Sequence, residues 1–259
     1  MNPQPSWEEL QPYYNTNYAP YKRTNELEDD ESALREARKT GQLRHIPLPT
    51  AKRLLDLGCG AGSFLRLAKK LGSIEQGVEP SKYAASVAQK QGLNVFCGTL
   101  EQFAAANPGA KYDIITANHV VEHLPDPVAT LRTMKALLAD EGTIWISVPN
   151  AAYPICRALN GLWHSTDLPY HLMQFSPASM ARAGTLAGLT VSKQKTESIP
   201  HIVEASIGQY LRYRWMIPRR VSGRLGFLRP LAAAYARKMD NQNRGEAIIT
   251  EFQCGGASD

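Results

Sequence analysis

The sequence predicts an α/β protein built on a mostly parallel sheet with helices on both faces. Three observations carry that prediction. Between residues 52 and 150, short apolar runs alternate with helix-spaced segments four times, and strands joined through helices at this spacing lie parallel. Nearly every unit ends on a residue that stops it: Gly72, Pro80, Gly92, Gly142 or Pro149. The first apolar run also leads into LDLGCGAGSF (residues 55–64), whose glycines at 58, 60 and 62 mark a strand-to-helix turn that a ligand can approach closely.

Taken in order, RLLDLG reads as the first strand and SFLRLAKKLG as the first helix of the repeat. IEQGVEP is a second strand; SKYAASVAQKQG is a helix with Ser81 as its N-cap. NVFCGT and YDIITANHV are the third and fourth strands. DPVATLRTMKALLADEG reads as one long helix ending at Gly142, before a fifth strand, TIWISVPN. After Asn150 the rhythm breaks. SPASMARAGTLAGL is a helix capped by Ser176 with Pro177 in its first turn, followed by strands TVSKQKTES and GEAIITEFQCG. Residues 1–45 read as an N-terminal arm, 46–150 as the ligand-binding core, and 151–259 as the remainder, with a basic insertion at 203–244.

Composition narrows the class. The 259 residues are 43% hydrophobic and 20% charged, ordinary for a globular chain that buries a core without staples. Cys59, Cys97, Cys156 and Cys254 form no C-x-x-C pair, which fits reduced thiols and a cytoplasmic location. The first residues lack the basic and apolar regions of a leader, and no run reaches the ~18 apolar residues of a membrane span. The net charge of +5 is concentrated: residues 203–244 carry nine Arg and Lys against two acids, so the rest is slightly acidic.

The glycine spacing is G-x-G-x-G. In a dinucleotide fold it is G-x-G-x-x-G, and Ser63 stands where the third glycine belongs. Asp56, just before the turn, suits a ligand bearing an amino group better than a pyrophosphate, and Glu79 ends the second strand where it can accept both hydroxyls of a ribose.

The segments LLDLGCGAGSFL, GVEPS, YDIITANHVVEHLPDP and EGTIWISVPN resemble the successive motifs of class I S-adenosylmethionine-dependent methyltransferases, in order, from about residue 52 to 150. DLPYHLMQFSPASMARAGTLAGL extends the resemblance toward a bacterial subgroup acting on small molecules and on sugar or lipid precursors. The resemblance implies a Rossmann-like seven-stranded sheet with the last strand antiparallel, matching the strand count above. It implies S-adenosyl-L-methionine as cofactor, with Asp56, Gly58, Cys59 and Gly60 at its methionine end and Glu79 at the ribose. Pro80 and Ser81 would lie beside the adenine. Thr99, Leu100 and Glu101 follow the third strand at the place that contacts the adenine ring, a plain loop being the alternative reading. Asn118 and His119 would lie under the sulfonium.

The cofactor brings the reactive methyl group, so the protein needs position and a place for the acceptor's proton. Histidine is the usual base. His171, His119 and His164 are the candidates. His171 comes first because it follows the fifth strand in the stretch that roofs the acceptor pocket, just ahead of the Ser176-capped helix; Trp163 and Asp167 share that roof. His123 reads as structural, and His45 and His201 as surface or packing residues. No metal is expected: His119 and His123 have helical spacing but no evident third ligand, and HSTDLPYH is not a rigid scaffold. Tyr14 and Tyr21 in the arm are expected to fold over the cofactor as a lid.

The basic segment mixes Arg with Trp, Tyr and Phe. It reads as a cap over the acceptor pocket, an attractor for an anionic or carrier-bound acceptor, or a membrane-surface helix, with nucleic acid the least favoured partner. The sequence leaves the oligomeric state open. The function expected is methyl transfer to a small-molecule acceptor, O-methylation favoured. The alternatives are a binding subunit that has lost activity, an RNA methyltransferase and an NAD-dependent dehydrogenase.

Overall fold

The computed structural model describes residue 9 and residues 30–159, 162–167, 170–218, 220 and 225–255. Tyr14 and Tyr21 lie outside the described residues. Seven strands form one sheet: β1 (Arg53–Leu57), β2 (Ile74–Glu79), β3 (Val95–Cys97), β4 (Tyr112–Asn118), β5 (Leu138–Pro149), β6 (Leu189–Glu197) and β7 (Ala247–Cys254). Their order is β3-β2-β1-β4-β5-β7-β6. β7 runs antiparallel to both neighbours, β5 and β6, while β1 to β5 pair parallel. The expected sheet is the one observed.

Alternation along the central strands sorts side chains to two faces, because successive strand residues point opposite ways. Leu54, Ile114, Trp145 and Ile249 join the cluster on one face, where α1 (Asp30–Thr40), α2 (Ser63–Lys70) and α3 (Lys82–Lys90) pack. Their sequence neighbours Leu55, Ile115, Ile144 and Ile248 join the other, covered by α4 (Leu100–Ala106), α5 (Pro127–Ala136) and, beyond a short helix α6 (Pro154–Ala158), α7 (Pro177–Leu186).

Two boundaries differ from the expectation. The long helix stops at Ala136 and β5 begins at Leu138: Leu138 pairs with Tyr112, then the register shifts before Thr143 meets Ile114. The residues ADEG thus belong to the irregular start of a strand. The stretch after β3 is helix α4 instead of loop, opened by a capping box in which Thr99 Oγ1 accepts from Gln102 N–H and Gln102 Oε1 accepts from Thr99 N–H.

The described part of the arm is docked. Leu34, Ala37, Leu43 and Ile46 are buried in the same cluster as α2 and α3. Asp30 accepts a bidentate pair from Arg66 at 2.8 and 2.9 Å and a third bond from Lys70 at 2.8 Å. The Arg66 hydrogen bonds, with Lys70, hold its carboxyl well below the usual range. A two-residue turn at Arg44 and His45 joins the short strands Gln42–Leu43 and Ile46–Pro47. The basic segment forms α8 (Pro200–Trp215) and α9 (Arg229–Asn241), which pack together as a cap. Tyr153, Trp163 and Met239 form a third, small core beneath it.

Candidate active site

The site lies outside the carboxyl ends of the strands, where β1 and β4 lead in opposite directions across the sheet, which is where open α/β sheets bind ligands. β1 delivers Asp56 and the glycine turn, β2 delivers Glu79, β3 leads to Thr99, and β4 ends at Asn118 and His119.

The three glycines have separate jobs. All have positive φ, at +66°, +56° and +84° for Gly58, Gly60 and Gly62. A Cβ on Gly62 would stand 2.3 Å from Leu93 Cδ1, and one on Gly58 would stand 2.5 Å from Val120 Cγ2. These two permit close packing. A Cβ on Gly60 would meet nothing within 4 Å, so this turn faces open space. The Cys59 side chain points away from that space: it is buried, and its Sγ lies 2.5 Å from where a Cβ on Gly77 would be. Burial raises its thiol pKa, so only its backbone is available at the turn.

Asp56 and Glu79 are both buried. Asp56 Oδ1 accepts a 2.6 Å bond from Thr116 Oγ1. Burial pushes its pKa up to about 6, opposed by the Thr116 bond and the charge of Arg44 and reinforced by Glu79. Glu79 accepts from Gly60 N–H at 2.9 Å and Ser81 N–H at 2.8 Å, one to each oxygen. It thereby fixes the glycine turn to the start of α3. Thr99 is committed to capping α4, Leu100 is buried in the core, and Pro80 and Glu101 are exposed at the rim.

Arg44, which the sequence reading left unassigned, stands close enough for its charge to act on Asp56. It has φ +54° at the turn between the short strands and lies 4.8 Å over the Phe64 ring. It also lines a cavity of about 10 Å³, the size of one water, with Thr116, Asn118 and Ser147. A left-handed arginine in a tight turn is strained, and such strain clusters at functional sites.

His119 is a second left-handed residue, φ +53°. Its ring is half exposed, and its Nδ1 lies 3.3 Å from Glu122 Oε1. Burial lowers its pKa, but the Glu122 contact and charge, aided by Glu246, prevail and raise it. Glu122 and Glu246 are buried acids; Glu122 lies in the motif YDIITANHVVEHLPDP, whereas no local motif marked Glu246. Burial of Glu122 favours its neutral form, yet His119, His123 and His171 hold its carboxyl below the usual range. Glu246 accepts from Ser165 Oγ at 2.9 Å, and burial raises its pKa.

The roof differs from expectation in three respects. His171 is buried behind Glu122: its Nδ1 is 2.9 Å from the Ser165 carbonyl, and its Nε2 is 3.9 Å from Glu122 Oε1. Burial lowers its pKa. Trp163 is fully buried with its ring centroid 6.1 Å from that of Tyr153, so it packs the cap. His164 is exposed, on a single turn that ends at left-handed Asp167. Among the other histidines, His45 pairs with Glu197 at 3.2 Å and His201 is exposed at the start of α8.

A family model described as a methyltransferase domain matches residues 29–194. The chain belongs to this methyltransferase family. Its relatives include the ubiquinone biosynthesis O-methyltransferase of Aeromonas salmonicida, 32% identical over 153 residues, covering 54% of this chain and 63% of the relative. That of Vibrio campbellii is 32% identical over 105 residues, covering 38% and 44%. The chain thus spans less than two thirds of the length of these curated relatives. The fold is the Rossmann-like one of S-adenosylmethionine-dependent methyltransferases. A SAM-dependent methyltransferase from Archaeoglobus fulgidus superposes with TM-score 0.59 at 17% identity, covering 91% of this chain and 99% of that one. The magnesium protoporphyrin IX methyltransferase of Synechocystis, solved with bound SAH, gives 0.55 at 14% identity, covering 95% and 99%.

Proposed function

We propose that the protein transfers a methyl group from S-adenosyl-L-methionine to a hydroxyl of a small biosynthetic acceptor. The observation that carries this reading is the open space at Gly60 between two buried carboxylates of different surroundings. Asp56 would accept the cofactor's ammonium and Arg44 would meet its carboxylate. Glu79, at the end of β2 beside the glycine turn, would lie at the ribose, and the rim at Pro80, Ser81 and Glu101 suits the adenine. When bound, the cofactor supplies a methyl group on a positively charged sulfur. The names of the curated relatives favour oxygen as the accepting atom.

His119 is the base this geometry favours. Its exposed ring stands at the mouth while His171 is screened by Glu122. His119 would take the hydroxyl proton of the acceptor as its oxygen receives the methyl group that the cofactor supplies. Glu122 orients His119 and stabilises its charged form. His119→Ala should lower turnover by roughly 10²–10⁴-fold with cofactor affinity retained. A larger loss in His171→Ala, with His119→Ala near wild type, would return the role to His171. Isothermal titration showing no binding of S-adenosylhomocysteine to the wild type would overturn the cofactor reading.

The cap supports a second element. Tyr213, Trp215, Met216, Phe227 and Leu231 are exposed there, Met216 at 83%, beside exposed Arg214, Arg220 and Arg229. Apolar side chains among arginines suit an anionic lipid surface, from which an amphipathic acceptor would be drawn. No helix among the described residues is long and apolar enough to cross a membrane. Co-sedimentation with phosphatidylglycerol vesicles but not phosphatidylcholine vesicles, lost in a Trp215→Ser, Met216→Ser double variant, is the expected result. Equal partition to both vesicle types would refute it.

A further inference from the structure

Among the described residues, both Glu122 carboxylate oxygens are buried without a hydrogen bond, and His119 Nδ1 and His171 Nε2 stand 3.3 and 3.9 Å from Oε1. A buried charge in that condition is costly unless something else engages it. Two histidines flank it. His123 Nδ1 lies 3.0 Å from the Tyr170 carbonyl and His171 Nδ1 lies 2.9 Å from the Ser165 carbonyl. A carbonyl only accepts, so both Nδ1 atoms carry the proton and the lone pair of each ring is on Nε2. A ring nitrogen bound to a backbone carbonyl while the other is left basic is how metal-ligating histidines are held. The two rings meet edge to face, centroids 4.7 Å apart. One ligand atom from each of Glu122, His123 and His171 lies within 4.8 Å of the other two.

We propose that Glu122, His123 and His171 form a binding site for a divalent transition-metal ion of the zinc class. Two imidazoles and one carboxylate are a donor set such ions accept, and three protein ligands leave a position open, as in ions that bind substrate. Ligands at the ~2.1 Å typical of zinc stand ~3.4 Å apart in tetrahedral geometry, so the three groups close by roughly an ångström on loading. Sequence spacing alone lacked the third group because His171 comes from the far side of β5. His119, 3.3 Å from Glu122 Oε1 with its ring half exposed, marks the open side. The ligand class that fits there is an oxygen donor such as an acceptor hydroxyl. That last clause rests on the methyl-transfer reading; the ion does not.

The test uses the full chain after chelator treatment and no cofactor, with Zn²⁺ and Co²⁺ as probes. The expected result is one Zn²⁺ per chain by titration against a chromophoric chelator, a rise in Tm, and visible Co²⁺ absorption of a low-coordinate site. Glu122→Gln, nearly isosteric, and His171→Ala should each weaken affinity by at least about tenfold, while His201→Ala, exposed on α8, should not. Circular dichroism of each variant separates lost binding from lost fold. Absence of stoichiometric binding to the wild type, or wild-type affinity in folded Glu122→Gln and His171→Ala, overturns the site. S-adenosylhomocysteine binding, measured separately, reports on the methyl-transfer reading alone.

Discussion

Replacing Gly60 and Gly62 by alanine in parallel separates ligand space from packing. Both residues have positive φ, which costs an alanine roughly 1–2 kcal/mol. For Gly60→Ala this is the whole cost, since the new Cβ meets nothing within 4 Å. For Gly62→Ala the Cβ lands 2.3 Å from Leu93 Cδ1 and 3.1 Å from Ala88 Cβ, adding overpacking of about 1–3 kcal/mol. At roughly 2–4 °C per kcal/mol, Gly60→Ala should lose a few degrees of Tm and Gly62→Ala about twice as much. Affinity should reverse the ranking. In isothermal titration with S-adenosylhomocysteine, Gly60→Ala should bind markedly more weakly, whereas folded Gly62→Ala should bind nearly as wild type. Wild-type affinity in Gly60→Ala would refute the assignment of the open space to the cofactor. Equal Tm losses would refute the packing role of Gly62.

Three further outcomes follow from the charges. With its pKa raised from 3.8 to about 6, Asp56 favours the ligand-free fold while protonated; its contribution is full below pH ~4 and is lost as pH rises through 6, about 3 kcal/mol in all. Urea denaturation should show that decline, and Asp56→Asn should flatten it. Cofactor affinity should move the other way, rising through pH 6 as the carboxylate that pairs with the ammonium forms; a flat titration profile from pH 5 to 7 would count against the pairing. Asp30→Ala removes the bidentate Arg66 bonds and the Lys70 bond, so amides of α1 should exchange faster while those of β4 stay protected; unchanged exchange in α1 would show that Leu34 and Ala37 suffice to dock it.

What the sequence revealed was local. Strand and helix periods, Ser81 and Ser176 caps, and the glycine turn are set by neighbours in the chain, and each stands where its pattern placed it. Helix α4 was just as local; its Thr99 and Gln102 signature was there to be read. The limit of α5 was not, because the residues after Ala136 are drawn into β5 by pairing with Tyr112, a partner over twenty positions away. Burial of an acid is likewise invisible locally. Nothing in the chain around Glu246 shows that the sheet brings it beside His119, and Trp163 reads as a pocket residue until the cap closes over it.

The placement of β7 between β5 and β6 has a consequence for the order of assembly. The groups assigned to the cofactor come from residues 44 to 119, joined by short parallel crossovers. Glu246, which acts on His119, and the strand that follows it arrive more than a hundred residues later, and β6 has no place in the sheet until β7 is there to pair with it. During synthesis the early strands can therefore gather before the acid beside His119 exists. A nascent chain would be competent to hold the methyl donor well before it could spend it, and the last strand acts as the latch that makes the site whole.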